Sequence, residues 1–113
     1  MPYIHNIDHN VAVELASLVD ASAGQVASKT LVQNGHVGLT LFSFAAGEAI
    51  SSHESKGDAL VMVLEGTATL TVGDDDYTVK AGESFVMPAN IPHAVAAVDD
   101  MKMFLIVVFP KDK

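Results

Sequence analysis

Most of this chain consists of short apolar runs separated by glycine or aspartate, and this pattern restricts the fold more than any other feature. The runs follow one another from Gln25 onward, with punctuation at Gly66, at residues 73–76 and at Asp99-Asp100. Many short strands with regular turns indicate an all-β sandwich or barrel. The predicted strands are residues 25–33, 37–45, 58–65, 67–72, 77–79, 84–87, 93–98 and 101–109.

Two of these strands are apolar on both faces. In the strand 58–65 the alternating residues are Ala59, Val61 and Val63 on one face, and Leu60, Met62 and Leu64 on the other. The run 103–109 has the same character. The interior of a small barrel hides only one face of each strand, so a helix, the amino-terminal segment or a second subunit must cover the other. We expect a homodimer for this reason.

The amino-terminal third has a different pattern. Residues 10–19 place Val11, Leu15, Leu18 and Val19 on one helical stripe, which predicts a short helix with Asp8 or Asn10 as its cap. Farther along, the Asn34-Gly35 step favours a tight hairpin turn. We therefore predict a single domain over residues 1–113, with a helix and pairing segment at 1–36 and a barrel at 37–109.

Composition excludes several classes of partner and chemistry. Six basic residues against fourteen acidic ones give a formal charge of −8, which repels nucleic acid and anionic membranes. The chain has no cysteine, so disulfides and thiolate chemistry are absent. All the basic residues are lysines, so there is no arginine to clamp a phosphate or a carboxylate. Residues 1–6 do not resemble an export signal, and we expect a cytoplasmic protein.

Two spaced motifs occur within the strand-rich part. The first runs from Gly47 through His53 to Gly66, and the second from Gly82 through Pro88 to His93. In spacing and residue type they resemble the two motifs of the cupin superfamily, and the chain looks like a small single-domain cupin. The resemblance covers about residues 37–109.

The resemblance implies a double-stranded β-helix, the cupin jelly-roll barrel, with a site in the barrel mouth and usually a homodimeric assembly. Cupins bind a transition metal there through three histidines and one carboxylate. Of these ligands, only His53 and His93 carry over. Ser55 holds the place of the second histidine and Ala59 that of the glutamate, while Ala97 replaces the asparagine that ends the second motif. The implied cofactor is one weakly held divalent metal (Zn, Ni, Fe or Mn), or none.

The missing ligands shape the functional prediction. Exchanging a histidine for Ser55 and a glutamate for Ala59 removes bulk and charge, which favours a roomier mouth with apolar walls and a few polar anchors. We expect a small-molecule-binding protein whose ligand contacts His53, Ser55, Ala59 and His93. The alternative is a metal-dependent enzyme, a dioxygenase or isomerase of a small metabolite, with an open two-histidine site. No catalytic residue is identified.

Other reactive residue types have simpler interpretations. His36 follows the predicted turn and is expected to be exposed, and His5 and His9 are expected at the surface or in capping positions. The acidic run 74–76 lacks the wider ligand pattern of a calcium loop, so we interpret it as a solvated hairpin tip. Asp58 lies one residue from the glutamate position, which turns its side chain to the opposite face of a strand.

Overall fold

A computed structural model describes residues 3–111 of the chain, so the predicted domain bounds at residues 1 and 113 lie outside the described residues. Between residues 3 and 111 there are nine strands and one short 3₁₀ helix, Leu15–Leu18. The strands are β1 (Val26–Gln33), β2 (Val37–Phe44), β3 (Ala49–His53), β4 (Asp58–Glu65), β5 (Thr67–Val72), β6 (Asp75–Lys80), β7 (Ser84–Met87), β8 (His93–Ala97) and β9 (Met101–Val108). No helix in this part of the chain is long and apolar enough to cross a membrane.

The strands form two antiparallel sheets. One has five strands in the order β1-β2-β9-β4-β7, and the other has four in the order β3-β8-β5-β6. Neighbours such as β2 and β9 are far apart in sequence, because the chain crosses between the two sheets as it winds. This arrangement confirms the predicted all-β double-stranded β-helix.

The main core lies between the two sheets. In β4 every second residue is buried, which places Ala59, Val61 and Val63 in this interior. The period of two follows from the alternation of side chains along a strand. The other buried members are Phe44, Ala68, Leu70, Val79, Met87, Val95, Ala97, Met101 and Met103.

Residues 3–24, which we call the strap, contribute a second, smaller core. Leu15, Leu18 and Val19 pack in one cluster with Leu41, which is fully buried on the outward side of β2. A backbone hydrogen bond of 2.8 Å from the amide of His5 to the carbonyl of Leu31 fastens the strap to β1. Part of the outward face of the five-stranded sheet is therefore covered by the chain itself.

The short helix is present but smaller than its sequence pattern suggests. It occupies four residues instead of the predicted span 10–19, and its N-cap position is Glu14, without a side-chain hydrogen bond, and not Asp8 or Asn10. Asn10 has φ 62°, which a right-handed helix cannot accommodate. Val11, placed on the predicted stripe, is 57% exposed. Leu15 and Leu18, the first and last residues of the helix, are partly buried against the cluster that contains Leu41.

One predicted connection is present and one strand is new. The β1–β2 connection is the three-residue loop 34–36, in which the side-chain oxygen of Asn34 accepts hydrogen bonds from the amides of His36 and Val37 at 2.8 and 3.0 Å. This asparagine-stabilised loop is the short hairpin connection predicted at Asn34-Gly35. The strand β3 was not predicted, because Ile50 is its single large apolar residue.

Candidate functional site

The two motif histidines meet where β3 ends and β8 begins. The register pairs His53 with His93, and β3 carries a register shift between Ile50 and His53. Ile50 packs against the interior core, so strict alternation would turn His53 to the opposite face. The irregularity adds one residue to β3 relative to β8, and this extra residue returns the side chain of His53 to the face that carries His93. The fold therefore brings His53 of the first motif next to His93 of the second.

The imidazole rings of His53 and His93 face each other edge to face. Their Nε2 atoms are 3.1 Å apart, their ring centroids are 4.3 Å apart and the ring planes are inclined by 69°. The Nδ1 atom of His53 lies 3.0 Å from the carbonyl oxygen of Ser51, and that of His93 lies 3.3 Å from the carbonyl oxygen of Ile91. Because a carbonyl oxygen only accepts, each Nδ1 is best satisfied when it carries the proton.

This arrangement has an electrostatic consequence. With protons on both Nδ1 atoms, the two Nε2 atoms each carry a lone pair and lie 3.1 Å apart with no proton between them. Moving one proton to Nε2 relieves that contact but turns an Nδ1 lone pair toward a carbonyl oxygen. Only a cation shared by the two Nε2 atoms, a proton or a metal ion, satisfies every contact at once.

The two rings differ in their exposure to solvent. His93 is only 3% exposed, whereas His53 is exposed. Burial lowers the pKa of His93, and the neighbouring His53 lowers it further, against an opposing contribution from the Ile91 carbonyl. His93 is therefore held in its neutral form, which is the form that ligates metals.

The pair fits the donor geometry of a transition metal. Two nitrogens bound at about 2.0–2.1 Å to one zinc ion lie roughly 2.8–3.4 Å apart for ligand angles between 90° and tetrahedral. The observed separation of 3.1 Å falls inside this interval. Among residues 3–111 no group of three or more His, Cys, Asp or Glu side chains is placed to hold an ion. His53 and His93 are therefore the residues that would hold a metal, with its remaining positions left to water or an external ligand.

The two replaced motif positions have different environments. The hydroxyl oxygen of Ser55 accepts a 3.1 Å hydrogen bond from the amide of Gly57, which leaves its own proton free to donate. Ala59 is 2% exposed and belongs to the interior core, opposite Met87 and Val107 in the neighbouring strands. Contact of Ser55 and Ala59 with a ligand remains a prediction.

Hydrogen bonds fix the loops that border the histidine pair. The carboxylate of Asp58 accepts a 2.8 Å hydrogen bond from the amide of Ala89, and the amide of Asn90 donates to the carbonyl oxygen of Ser55 at 2.8 Å. Asp58 is exposed, so its side chain is turned away from the interior as predicted. These bonds join the loop after His53 to the loop that leads into His93. Sequence reasoning did not find this role, for which the only signal was an acidic residue beside an apolar strand.

The remaining histidines lie away from the pair. His36 is exposed in the β1–β2 loop, as predicted, and His5 and His9 belong to the strap. The ring of His9 lies 2.9 Å from the carbonyl oxygen of Ile4, a local contact within the strap. A cavity of about 560 Å³ is bordered by the strap, the end of β1 and the start of β2, and neither His53 nor His93 lines it. The expected roomier mouth stays a prediction.

Comparisons with known proteins agree with this architecture. Residues 40–109 match the family model described as the cupin domain. A conserved protein of unknown function from Streptococcus pyogenes is 43% identical, with a TM-score of 0.96, and the match covers 99% of this chain and 98% of that chain. A cupin superfamily protein from Desulfitobacterium hafniense is 34% identical, with a TM-score of 0.90 and coverage of 95% and 98%.

A cupin 2 conserved barrel domain protein from Leptotrichia buccalis is 44% identical, with a TM-score of 0.80, over 82% of this chain and 45% of that chain. No curated protein matches the chain significantly. The family match spans more than half of the sequence, and it includes both motifs entirely. The chain is therefore a member of the cupin family.

Proposed function

We propose that this cupin binds a small molecule at the His53–His93 pair, with a weakly held divalent metal between the ligand and the two imidazoles. The observation that carries the proposal is the 3.1 Å approach of the two Nε2 atoms, with both Nδ1 atoms against backbone carbonyls. Such a pair is satisfied by a shared cation. The lowered pKa of His93 opposes protonation, which leaves a metal as the better occupant.

The charge of the site suggests the chemical class of the ligand. Two neutral imidazoles do not balance the charge of a divalent ion. Among the described residues no group of three or more His, Cys, Asp or Glu side chains could hold one, so no protein carboxylate completes the site. A small molecule with an anionic oxygen, such as a carboxylate, would complete the shell and balance the charge. Val72 lies beside His93 in the register, and Ile50 belongs to the same interior cluster. These side chains suit a ligand with an apolar body.

Metal titration followed by ligand screening tests this proposal. Zn²⁺, Ni²⁺, Fe²⁺ and Mn²⁺ are each added to metal-free protein, and the midpoint of thermal unfolding is measured with and without a panel of small carboxylic acids. At least one metal should raise the midpoint, and a carboxylic acid should raise it further only when that metal is present. His53→Ala and His93→Ala should abolish both effects, whereas the matched variant His36→Ala should keep them. Stabilisation that survives in both site variants contradicts the proposal.

An open coordination shell also supports an enzyme, the second candidate. His53 is exposed, and two imidazoles leave several coordination positions to external ligands, which suits Lewis-acid or dioxygen chemistry. No described acidic side chain joins the pair as a general base, so any base would come from the substrate or from bound water. Product analysis of metal-loaded protein with a stabilising ligand distinguishes the candidates. Unchanged ligand under air and under nitrogen favours the binding protein, whereas turnover lost in His93→Ala favours the enzyme.

A further inference from the structure

A smaller cavity lies at the end of the five-stranded sheet that is remote from the histidine pair. Its volume is about 180 Å³, and its walls come from the strap and from the ends of β2, β4 and β9. Met101, in its wall, begins β9, whereas Val108 ends β9 opposite Asp58. Seven residues at about 3.3 Å each separate these two ends by roughly 23 Å. We call this space the Ser43 cavity, and its polar wall consists of Asp20, Ser43, Glu65, Asp100 and Lys102.

Ser43 is an unusual residue in such a wall. It lies on the outward side of β2, two residues after Leu41, and it is only 4% exposed. Within residues 3–111 the buried polar residues are Ser43 and His93, and His93 belongs to the site described above. Burying a hydroxyl costs free energy unless it forms a hydrogen bond. Ser43 therefore needs a partner that explains its position.

The hydroxyl of Ser43 has no partner in the described part of the chain. None of the side-chain hydrogen bonds formed within residues 3–111 involves it. In the same range, every fully enclosed polar atom of a side chain has a hydrogen-bond partner. The Ser43 hydroxyl is therefore not fully enclosed. Because the rest of the residue is inaccessible, the surface that the hydroxyl exposes belongs to the wall of the cavity.

Carboxylates dominate the charge of the Ser43 cavity. The register places Lys102 of β9 between Ser43 of β2 and Glu65 of β4, so these three residues form one row across the sheet. Asp20 of the strap and Asp100 at the start of β9 add two more carboxylates. Three carboxylates against one ammonium leave two negative charges in excess. The cavity therefore favours a cation over an anion.

Contacts within the protein leave two of these carboxylates open. The ammonium of Lys102 donates to the Ala16 carbonyl at 2.7 Å, and Oδ1 of Asp100 accepts a backbone amide at 2.9 Å. Within residues 3–111, the carboxylates of Asp20 and Glu65 accept no side-chain hydrogen bond. The groups that remain for a ligand are thus the hydroxyl of Ser43 and two exposed carboxylates.

The spacing of these groups favours an organic cation over a metal ion. Among residues 3–111 no group of three or more His, Cys, Asp or Glu side chains is placed to hold a metal. An ammonium group instead donates three hydrogen bonds to separate acceptors. Phe44 and Met101, each 1% exposed, line the same cavity and suit methylene groups. At about 30 Å³ per water, the volume equals roughly six water molecules, which limits the ligand to about six heavy atoms.

We propose that the Ser43 cavity binds a short aliphatic diamine. One ammonium group donates to the Ser43 hydroxyl, and the carboxylates of Asp20 and Glu65 pair with the two ammonium charges. The two charges of the ligand then match the two negative charges in excess, and its methylenes lie against the apolar part of the wall. This site is separate from the histidine pair and does not depend on the function proposed for that pair.

Titration of propane-1,3-diamine into the full chain, followed by amide chemical shifts in NMR, tests the proposal. The amides of Ser43, Glu65 and Met101 should shift and saturate below about 10 mM, a range expected for so small a ligand. Propane-1,3-diol has the same length without charge and should bind at least about 10-fold more weakly. Ser43→Ala and Glu65→Gln should each raise the dissociation constant of the diamine about 3- to 10-fold, because each removes a contact to a charged group.

The matched controls are Ser84→Ala and Asp74→Asn, which change exposed residues outside the cavity and should keep the dissociation constant of the parent. His93→Ala should also keep it. Raising sodium chloride from about 0.05 to 0.5 M should weaken binding, because the carboxylates are exposed to screening. Shifts that do not saturate, equal affinity for the diol, the same shifts with Mg²⁺ at lower concentration, or parental affinity in both site variants overturns the proposal.

Discussion

The Nε2 atom of His53 lies 3.1 Å from the Nε2 atom of His93, although neither ring in its neutral form can donate a proton to the other without losing its own hydrogen bond to a backbone carbonyl. The fold imposes this opposition through a register irregularity in β3 and a hydrogen-bonded loop before β8. We expect a pair constrained in this way to respond strongly to cations. The chemistry of the site is therefore best tested by changing the cation, a proton or a metal ion, that the two rings can share.

Ala59→Glu tests whether the missing carboxylate can be restored. Ala59 is 2% exposed in the interior core, so an unpaired glutamate there should destabilise the metal-free protein by about 2–5 kcal/mol. If the new carboxylate reaches the ion held by His53 and His93, metal affinity should rise about 10-fold or more, because a third protein ligand joins the shell.

Isothermal titration with Zn²⁺ and urea unfolding measure the two effects of Ala59→Glu. Saturating Zn²⁺ should recover much of the lost stability in Ala59→Glu but none of it in Ala59→Gln, which has the same length without the charge. Equal zinc affinities in Ala59→Glu and the parent chain would show that this position does not face the histidine pair.

The lowered pKa of His93 predicts a dependence of stability on pH. In the unfolded chain a histidine titrates near 6.5, and burial together with His53 places the pKa of His93 below that value in the folded chain. Below pH 6.5 the unfolded state therefore binds more protons, so this contribution to stability is complete above pH 6.5. It is lost as the pH falls toward the folded-state pKa.

Urea unfolding of metal-free protein between pH 8 and pH 5 measures this dependence. His93→Gln should flatten the fall in unfolding free energy across the acid side of the range, and His36→Gln should leave it as in the parent. Identical pH profiles for the parent and His93→Gln would mean that His93 is not held neutral by its surroundings.

Backbone geometry at a turn gives a third prediction. Gly66 has φ +77°, and a Cβ atom at this position would clash with the carbonyl oxygen of Asp100. Gly66→Ala should therefore lower the free energy of unfolding by about 2–4 kcal/mol, since it combines a left-handed backbone with a backbone clash. Gly35→Ala is the matched control, because no atom lies within 4 Å of a Cβ there. Chemical denaturation compares the two, and equal stabilities would contradict the steric argument.

Some features of this fold could be predicted from the sequence, and others could not. The glycine of the first motif at residue 66 and the strand pattern of β4 carry physical constraints that are visible locally, a left-handed turn and a period of two. The opposition of His53 and His93 depends on β3, which has little apolar signal and whose irregular register has no sequence mark. The predicted helix 10–19 is longer than the helix Leu15–Leu18 in the structure, because a helical stripe cannot reveal that Asn10 takes a left-handed φ. Tertiary packing decides both features.

Asp58 supplies the last prediction, which concerns the support of the site and not its ligands. Its carboxylate accepts the Ala89 amide at 2.8 Å and so connects β4 to the loop that leads into His93. Asp58→Ala removes an exposed hydrogen bond, so global stability should fall by only about 1 kcal/mol. The freed loop should exchange its amide hydrogens faster, and zinc affinity should drop about 3- to 10-fold because the ring of His93 is less firmly oriented.

Asp74→Ala, in the exposed β5–β6 turn, is the control and should change neither quantity. Hydrogen exchange at Ala89 and Asn90, measured beside zinc titration, checks both expectations, and an Asp58→Ala variant with faster exchange but full zinc affinity would show that the loop does not position His93.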